Sequence, residues 1–141
     1  MFEVLTLDHN QLTNINLSGL VNLWFLSLNN NTLNSLDLSS NQSLEAISVD
    51  SNQLTELDVR NGNNSIIVDF YTYGNPDLTC ISVDDTAYSN ANWTNIDPHT
   101  SFSDDCASFV LGPNASFSAS PTIVCLGETI SFTDTSAGSP T

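Results

Sequence analysis

Three cysteines, two histidines and a scatter of carboxylates are the residues of this 141-residue chain whose types could do chemistry. Cys80, Cys106 and Cys125 are isolated, and His9 and His99 lie far apart, so neither CxxC nor HxxxH spacing is present to build a metal site. Cys80 and Cys106 instead flank one segment. A disulfide between them is the pairing expected in an oxidising compartment, where closing such a loop is worth about 3 kcal/mol. Cys125 is left to pair beyond residue 141 or to stay free. Asp84, Asp85, Asp97, Asp104 and Asp105 place hard oxygen ligands in a short span, which is calcium chemistry in principle. Their spacing is not that of an EF-hand loop, and the rival reading is an acidic cap that needs no cofactor. Catalytic constellations are missing: there is no nucleophile elbow and no glycine-rich phosphate loop. The chain reads as non-catalytic.

Charge narrows the partners. One Lys or Arg (Arg60) stands against sixteen Asp and Glu, a net charge of −15. Nucleic acid and anionic membrane both require positive charge and are excluded as partners on that ground. No apolar run approaches the roughly 20 residues that span a bilayer, so membrane insertion is not expected.

The elements that must position these residues come from a repeat. Asn10, Asn31 and Asn52 recur every 21 residues, as do Leu5, Leu26 and Ile47, then Leu7, Leu28 and Val49, then Leu12, Leu33 and Leu54. Ile15, Leu36 and Leu57 keep the interval, as do Leu17, Leu38 and Val59, and a fourth copy follows 23 residues on with Ile67, Phe70, Thr72 and Asn75. The L-x-L alternation has the period of a strand. One unit cannot bury so many apolar positions, so copies must stack. The recurrent Asn sits at a bend, where its amide can bond backbone groups that the turn leaves unpaired; in register, Asn10, Asn31, Asn52 and Asn75 make an asparagine ladder.

The segments 5-LTLDHNQL-12, 26-LSLNNNTL-33 and 47-ISVDSNQL-54 resemble the leucine-rich repeat family, in the short form seen in secreted and surface proteins of bacteria. The resemblance covers residues 2 to about 83. It implies a mainly β, right-handed solenoid of about four turns with parallel strands and little or no helix, residues 1–83. The pattern starts at once after Met1, without signal peptide or N-terminal cap, so the chain is expected to be an internal piece of a longer protein.

After residue 83 the pattern stops. Residues 84–108, with Tyr88, Trp93, Ile96 and Phe102 among polar residues, read as an irregular, disulfide-pinned C-terminal cap. Residues 109–141 change character again: two alternating runs, Ala115 to Ala119 and Thr129 to Thr133, flank Pro121 and Gly127 and read as strand, turn, strand. The stretch 117-FSASPTIVCLGETISFTDTS-136 resembles the opening of a polycystic-kidney-disease-type (PKD) domain, an immunoglobulin-like sandwich. The family's W-x-F-G-D-G motif is absent, so the sandwich is incomplete here. Together the two resemblances imply a secreted or cell-surface protein.

The repeat frame sorts the first strand's outward positions into columns: Val4, Phe25, Ala46 and Asp69; Thr6, Ser27, Ser48 and Tyr71; Asp8, Asn29, Asp50 and Tyr73. Phe25, Tyr71 and Tyr73 are large rings among small or polar neighbours, the residue type on which interfaces and sugar platforms anchor. Trp24 shares a column with Glu3, Glu45 and Val68, at the strand's entrance. Trp24, Phe25, Tyr71, Tyr73, Asp8, Asn29 and Asp50 are therefore the candidate ligand-binding residues, although Tyr71 and Tyr73 also suit β structure for its own sake. Asp8 and Asp50 fall in one surface column two turns apart, too far to act as a retaining carboxylate pair. The expected function is a monomeric binding or adhesion module that presents a sheet to a protein or glycan. The alternative is a structural spacer or accessory module of a larger secreted enzyme. The sequons 92-NWT-94 and 114-NAS-116 leave glycosylation open.

Overall fold

Alternating apolar and polar residues put every second side chain on one face of an extended chain, and a short repeat hides that face only by stacking turn on turn. The computed structural model of the chain, describing residues 3–106, 117–120 and 131–134, has this form. It divides into two units, Met1–Cys106 and Ala107–Thr141.

The first unit has strands β1 (Glu3–Thr6), β2 (Leu23–Ser27), β3 (Ser35–Asp37), β4 (Ala46–Ser48), β5 (Glu56–Asp58), β6 (Asp69–Tyr71), β7 (Cys80–Ser82) and β8 (Ser101–Ser103), with a helix, α1 (Thr86–Asn92), before β8. They form two parallel sheets, ordered β1-β2-β4-β6 and β3-β5-β7-β8. The register follows the repeat: Leu5, Leu26, Ile47 and Phe70 align in the first sheet, and Leu36, Leu57, Ile81 and Phe102 in the second. Between the sheets Leu33, Leu54 and Leu78 close the core, each fully buried. Burying one such leucine is worth about 1.5–3 kcal/mol, so the stacked columns are the main source of cohesion. At the first turn Leu5, Leu7, Leu12 and Ile15 are only partly buried.

The other end is covered. Trp93 stacks on Phe70 with ring centroids 4.2 Å apart, Phe102 meets Trp93 edge-on at 5.7 Å, and the Trp93 indole N–H donates to the Ile67 carbonyl (3.1 Å). A disulfide joins Cys80, the first residue of β7, to Cys106. The cap is more regular than its composition indicates. Asp85 accepts a hydrogen bond from the Tyr88 amide (2.9 Å) and starts α1, a short helix that depends on this N-cap and on packing. β8 extends the second sheet, while Asn95 bridges to Tyr71 beside the first. The solenoid thus has about five turns where the repeat spacing predicts about four, because the cap supplies strands without supplying leucines.

In the second unit β9 (Phe117–Ser120) and β10 (Ser131–Asp134) pair antiparallel, with Phe117 opposite Asp134. Cys125, Pro121, Gly127 and the sequon at Asn114 lie outside the described residues.

Candidate functional site

The outward face of the first sheet carries the candidate residues because the pleat sends Leu26, Ile47 and Phe70 inward and their neighbours outward. Tyr71 and Tyr73 are exposed, at 38% and 62%. Phe25 is half-buried, aligned between Val4 and Ala46. Trp24 is the second residue of β2. β2 carries one residue more than β1 there, since Glu3 pairs with Leu23 and Val4 with Phe25. Such a bulge re-aims a side chain, and it leaves the Trp24 and Phe25 rings side by side, centroids 6.0 Å apart. The exposed apolar surface is wider than the aromatic residues alone: Val4 and Val68 are 58% and 71% exposed, in the columns of Phe25 and Trp24.

Asp8, Asn29 and Asp50 are tied into the scaffold. Asp8 Oδ1 accepts from the Asn29 amide and the Ser27 hydroxyl, each at 2.7 Å. Asn29 Oδ1 repeats the arrangement one turn on, accepting from the Asp50 amide (2.8 Å) and the Ser48 hydroxyl (2.9 Å). The pattern breaks at Asp50, because Tyr71 stands where Ser27 and Ser48 stood. Asp50 Oδ1 is left buried without a hydrogen-bond partner. Burial pushes the Asp50 carboxyl above the usual carboxylate range; the Tyr73 backbone amide pulls the other way, and the Asp97 carboxylate adds to the rise.

A second ladder lies inside. Asn31 Nδ2 donates to the carbonyls of Leu7 and Leu28, Asn52 Nδ2 to those of Leu28 and Val49, and Asn75 Nδ2 to those of Val49 and Thr72, all at 2.9–3.1 Å. Their oxygens accept the amides of Leu12, Leu33 and Leu54 in the preceding turn. Asn10, in the first turn, is exposed and donates to Leu7 and Asp8 carbonyls of its own turn. Just before each of these asparagines the chain takes a left-handed conformation, at His9, Asn30, Ser51 and Gly74 (φ 56°, 56°, 56° and 80°). These residues escaped the sequence reading. The signal was the fourth copy, in which 73-YGN-75 puts glycine where the conformation is cheapest.

The acidic cap residues disperse. Asp84 Oδ2 accepts the Gly62 amide (2.7 Å), Asp85 caps α1, and Asp97 Oδ2 accepts the Asn75 amide (2.8 Å). Among the described residues no three His, Cys, Asp or Glu side chains are placed to share a metal ion. Arg60 pairs with Asp58 (2.6 Å), which holds that carboxyl below the usual range through the guanidinium hydrogen bond. Among the described residues no helix is long and apolar enough to cross a membrane.

Comparison with family models, with curated proteins and with solved structures finds no match to this chain.

Proposed function

We propose that residues 1–106 are a leucine-rich repeat binding module of a secreted or cell-surface bacterial protein, followed by the start of a PKD-type domain. The observation that carries the reading is the first sheet, where Val4 and Tyr71 are exposed on strands, and Val68 and Tyr73 just before and after β6, in a scaffold locked by two side-chain ladders. Large rings on a rigid, pre-ordered surface lose little entropy on binding, which favours recognition of a protein or glycan. The repeat register and the Asn hydrogen bonds agree with the family resemblance, and the antiparallel β9 and β10 agree with a sandwich opening. Export is favoured by the Cys80 to Cys106 disulfide, since such bonds persist in oxidising compartments.

The test is a screen of the chain against glycan and extracellular-protein arrays, repeated with a Phe25→Ala plus Tyr71→Ala variant. Loss of the retained ligand with an unchanged melting curve supports the binding face. Equal retention by the variant sinks it and leaves the spacer reading.

A further inference from the structure

We propose that Asn61 modifies itself: its side-chain amide closes onto the Gly62 nitrogen to form a succinimide, which water opens to isoaspartate or aspartate, with Asp84 as the base. The site lies in the turn after β5 and uses no residue of the binding face, so it stands or falls independently of that reading. The pair 61-NG-62 is the only Asn-Gly in the chain. Closure makes a five-membered ring within one dipeptide, so nucleophile and electrophile need no encounter. Glycine brings no side chain to shield the nitrogen. Gly62 is exposed, at φ 81°, and a Cβ placed there would meet no atom within 4 Å beyond its chain neighbours.

The fold sets a base and two donors around the reacting atoms. Asp84 Oδ2 accepts the Gly62 N–H (2.7 Å), and Asp84 is held in place by its own amide, which donates to Asn64 Oδ1 (2.7 Å). The Asn63 amide (3.0 Å) and Asn64 Nδ2 (3.4 Å) both donate to Asn61 Oδ1. Asp84 takes the Gly62 proton while the nitrogen's electron pair bonds to Asn61 Cγ, and the carbonyl pair moves onto Oδ1, where the two donors meet the charge. Collapse breaks the Cγ–Nδ2 bond, and the proton carried by Asp84 completes the departing ammonia. Water then adds to one imide carbonyl and breaks its bond to nitrogen: at Cγ this gives aspartate, at the backbone carbon isoaspartate. No oxidant or cofactor enters. The inner-ladder asparagines lack this setting. Pro76, after Asn75, has no N–H, and the amides of Thr32 and Gln53, after Asn31 and Asn52, donate to the Leu12 and Leu33 carbonyls (3.0 and 3.1 Å) and not to a carboxylate. Conversion has a structural consequence, because Asn61 Nδ2 joins two turns by donating to the buried Asn41 carbonyl (3.0 Å). Either product loses that donor and leaves the carbonyl unpaired, and isoaspartate also lengthens the backbone by one methylene.

The experiment incubates the full 141-residue chain near neutral pH, folded in buffer and unfolded in urea, and follows residue 61 by tandem mass spectrometry of the chymotryptic peptide 58–70. Loss of ammonia marks the imide, and an acid in place of the amide marks its products. The folded chain is expected to convert Asn61 about tenfold faster than the unfolded one, since only the fold supplies the base and the two donors. Asp84→Asn, at an exposed position, keeps an acceptor for the Gly62 amide but no base, and is expected to slow conversion in the folded chain about tenfold, with Asp84→Glu recovering part of the loss. Circular dichroism checks that each variant is folded, and the converted fraction is expected to melt below the unconverted one. Absence of conversion at Asn61 in the folded chain overturns the proposal. So does a rate no greater than in urea, which would make the reaction a property of the dipeptide alone, and so does an unchanged rate in folded Asp84→Asn, which would remove Asp84 as the base.

Discussion

Asn52 and Asn29 each join neighbouring turns of the solenoid through a side-chain amide, yet they work in different surroundings. Asn52 is buried and serves the Leu28 and Val49 carbonyls and the Leu33 amide. Asn29 is half-buried just beyond the end of β2 and joins the Ser27 and Ser48 hydroxyls to the Asp50 amide. The inner ladder is Asn at 31, 52 and 75, whereas the outer one changes from Asp to Asn to Asp and then stops at Tyr73. Water explains the difference. An unpaired amide inside the core finds no replacement partner, while one at the rim finds solvent.

The sharpest way to break this comparison is Asn52→Ala. It removes two buried donor contacts and orphans the Leu33 amide, and a loss of about 4 kcal/mol is expected by urea unfolding. A loss no larger than that of Asn29→Ala would refute the distinction. Reducing the Cys80 to Cys106 disulfide, which acts outside both ladders, should cost about 3 kcal/mol and lower the melting point, with the cap loosening first. An unmoved melting point would show that the Phe70, Trp93 and Phe102 rings hold the cap unaided. Asn29→Ala should cost about 1 kcal/mol, because water replaces what the side chain supplied.

The smallest effect is expected at Asp50, and it changes sign. The folded carboxyl titrates above its unfolded counterpart, mainly through burial. The stability its protonated form contributes is therefore fully present below the unfolded value and is lost as pH rises through the folded one. Asp50→Asn keeps an acceptor for the ladder and removes the charge facing Asp97. It should raise stability at neutral pH by less than about 0.5 kcal/mol after solvent screening, with the gain vanishing in acid. Parallel melts at the two pH values check this, and a destabilised variant at neutral pH would mean that the ionised carboxylate is needed.

Much of this architecture is legible in the order of the residues. The 21-residue spacing of Leu5, Leu26 and Ile47 fixes which side chains share a column, because the period of two and the need to bury leucine admit one stacking register. The lengthening by two residues before the fourth copy was also legible, and the segment that takes it up holds a 3₁₀ turn, Asn64–Ile66. The candidate face was legible as columns but not as exposures. Phe25, one of the three candidate rings, is partly covered, whereas Val68 is the most exposed of the large apolar residues among those described. Asp8 and Asn29, candidates for ligand contact, are hydrogen-bonded between turns.

The sequence by itself determined the solenoid and its inner ladder, since these depend on periodicity, and periodicity is a property of order along the chain. Only the tertiary structure decided that the cap adds a fifth turn, that a bulge brings Trp24 beside Phe25, and that Asp50 keeps an unpartnered oxygen. Each of these is a departure from the repeat, where shape and burial are set by which side chains happen to meet.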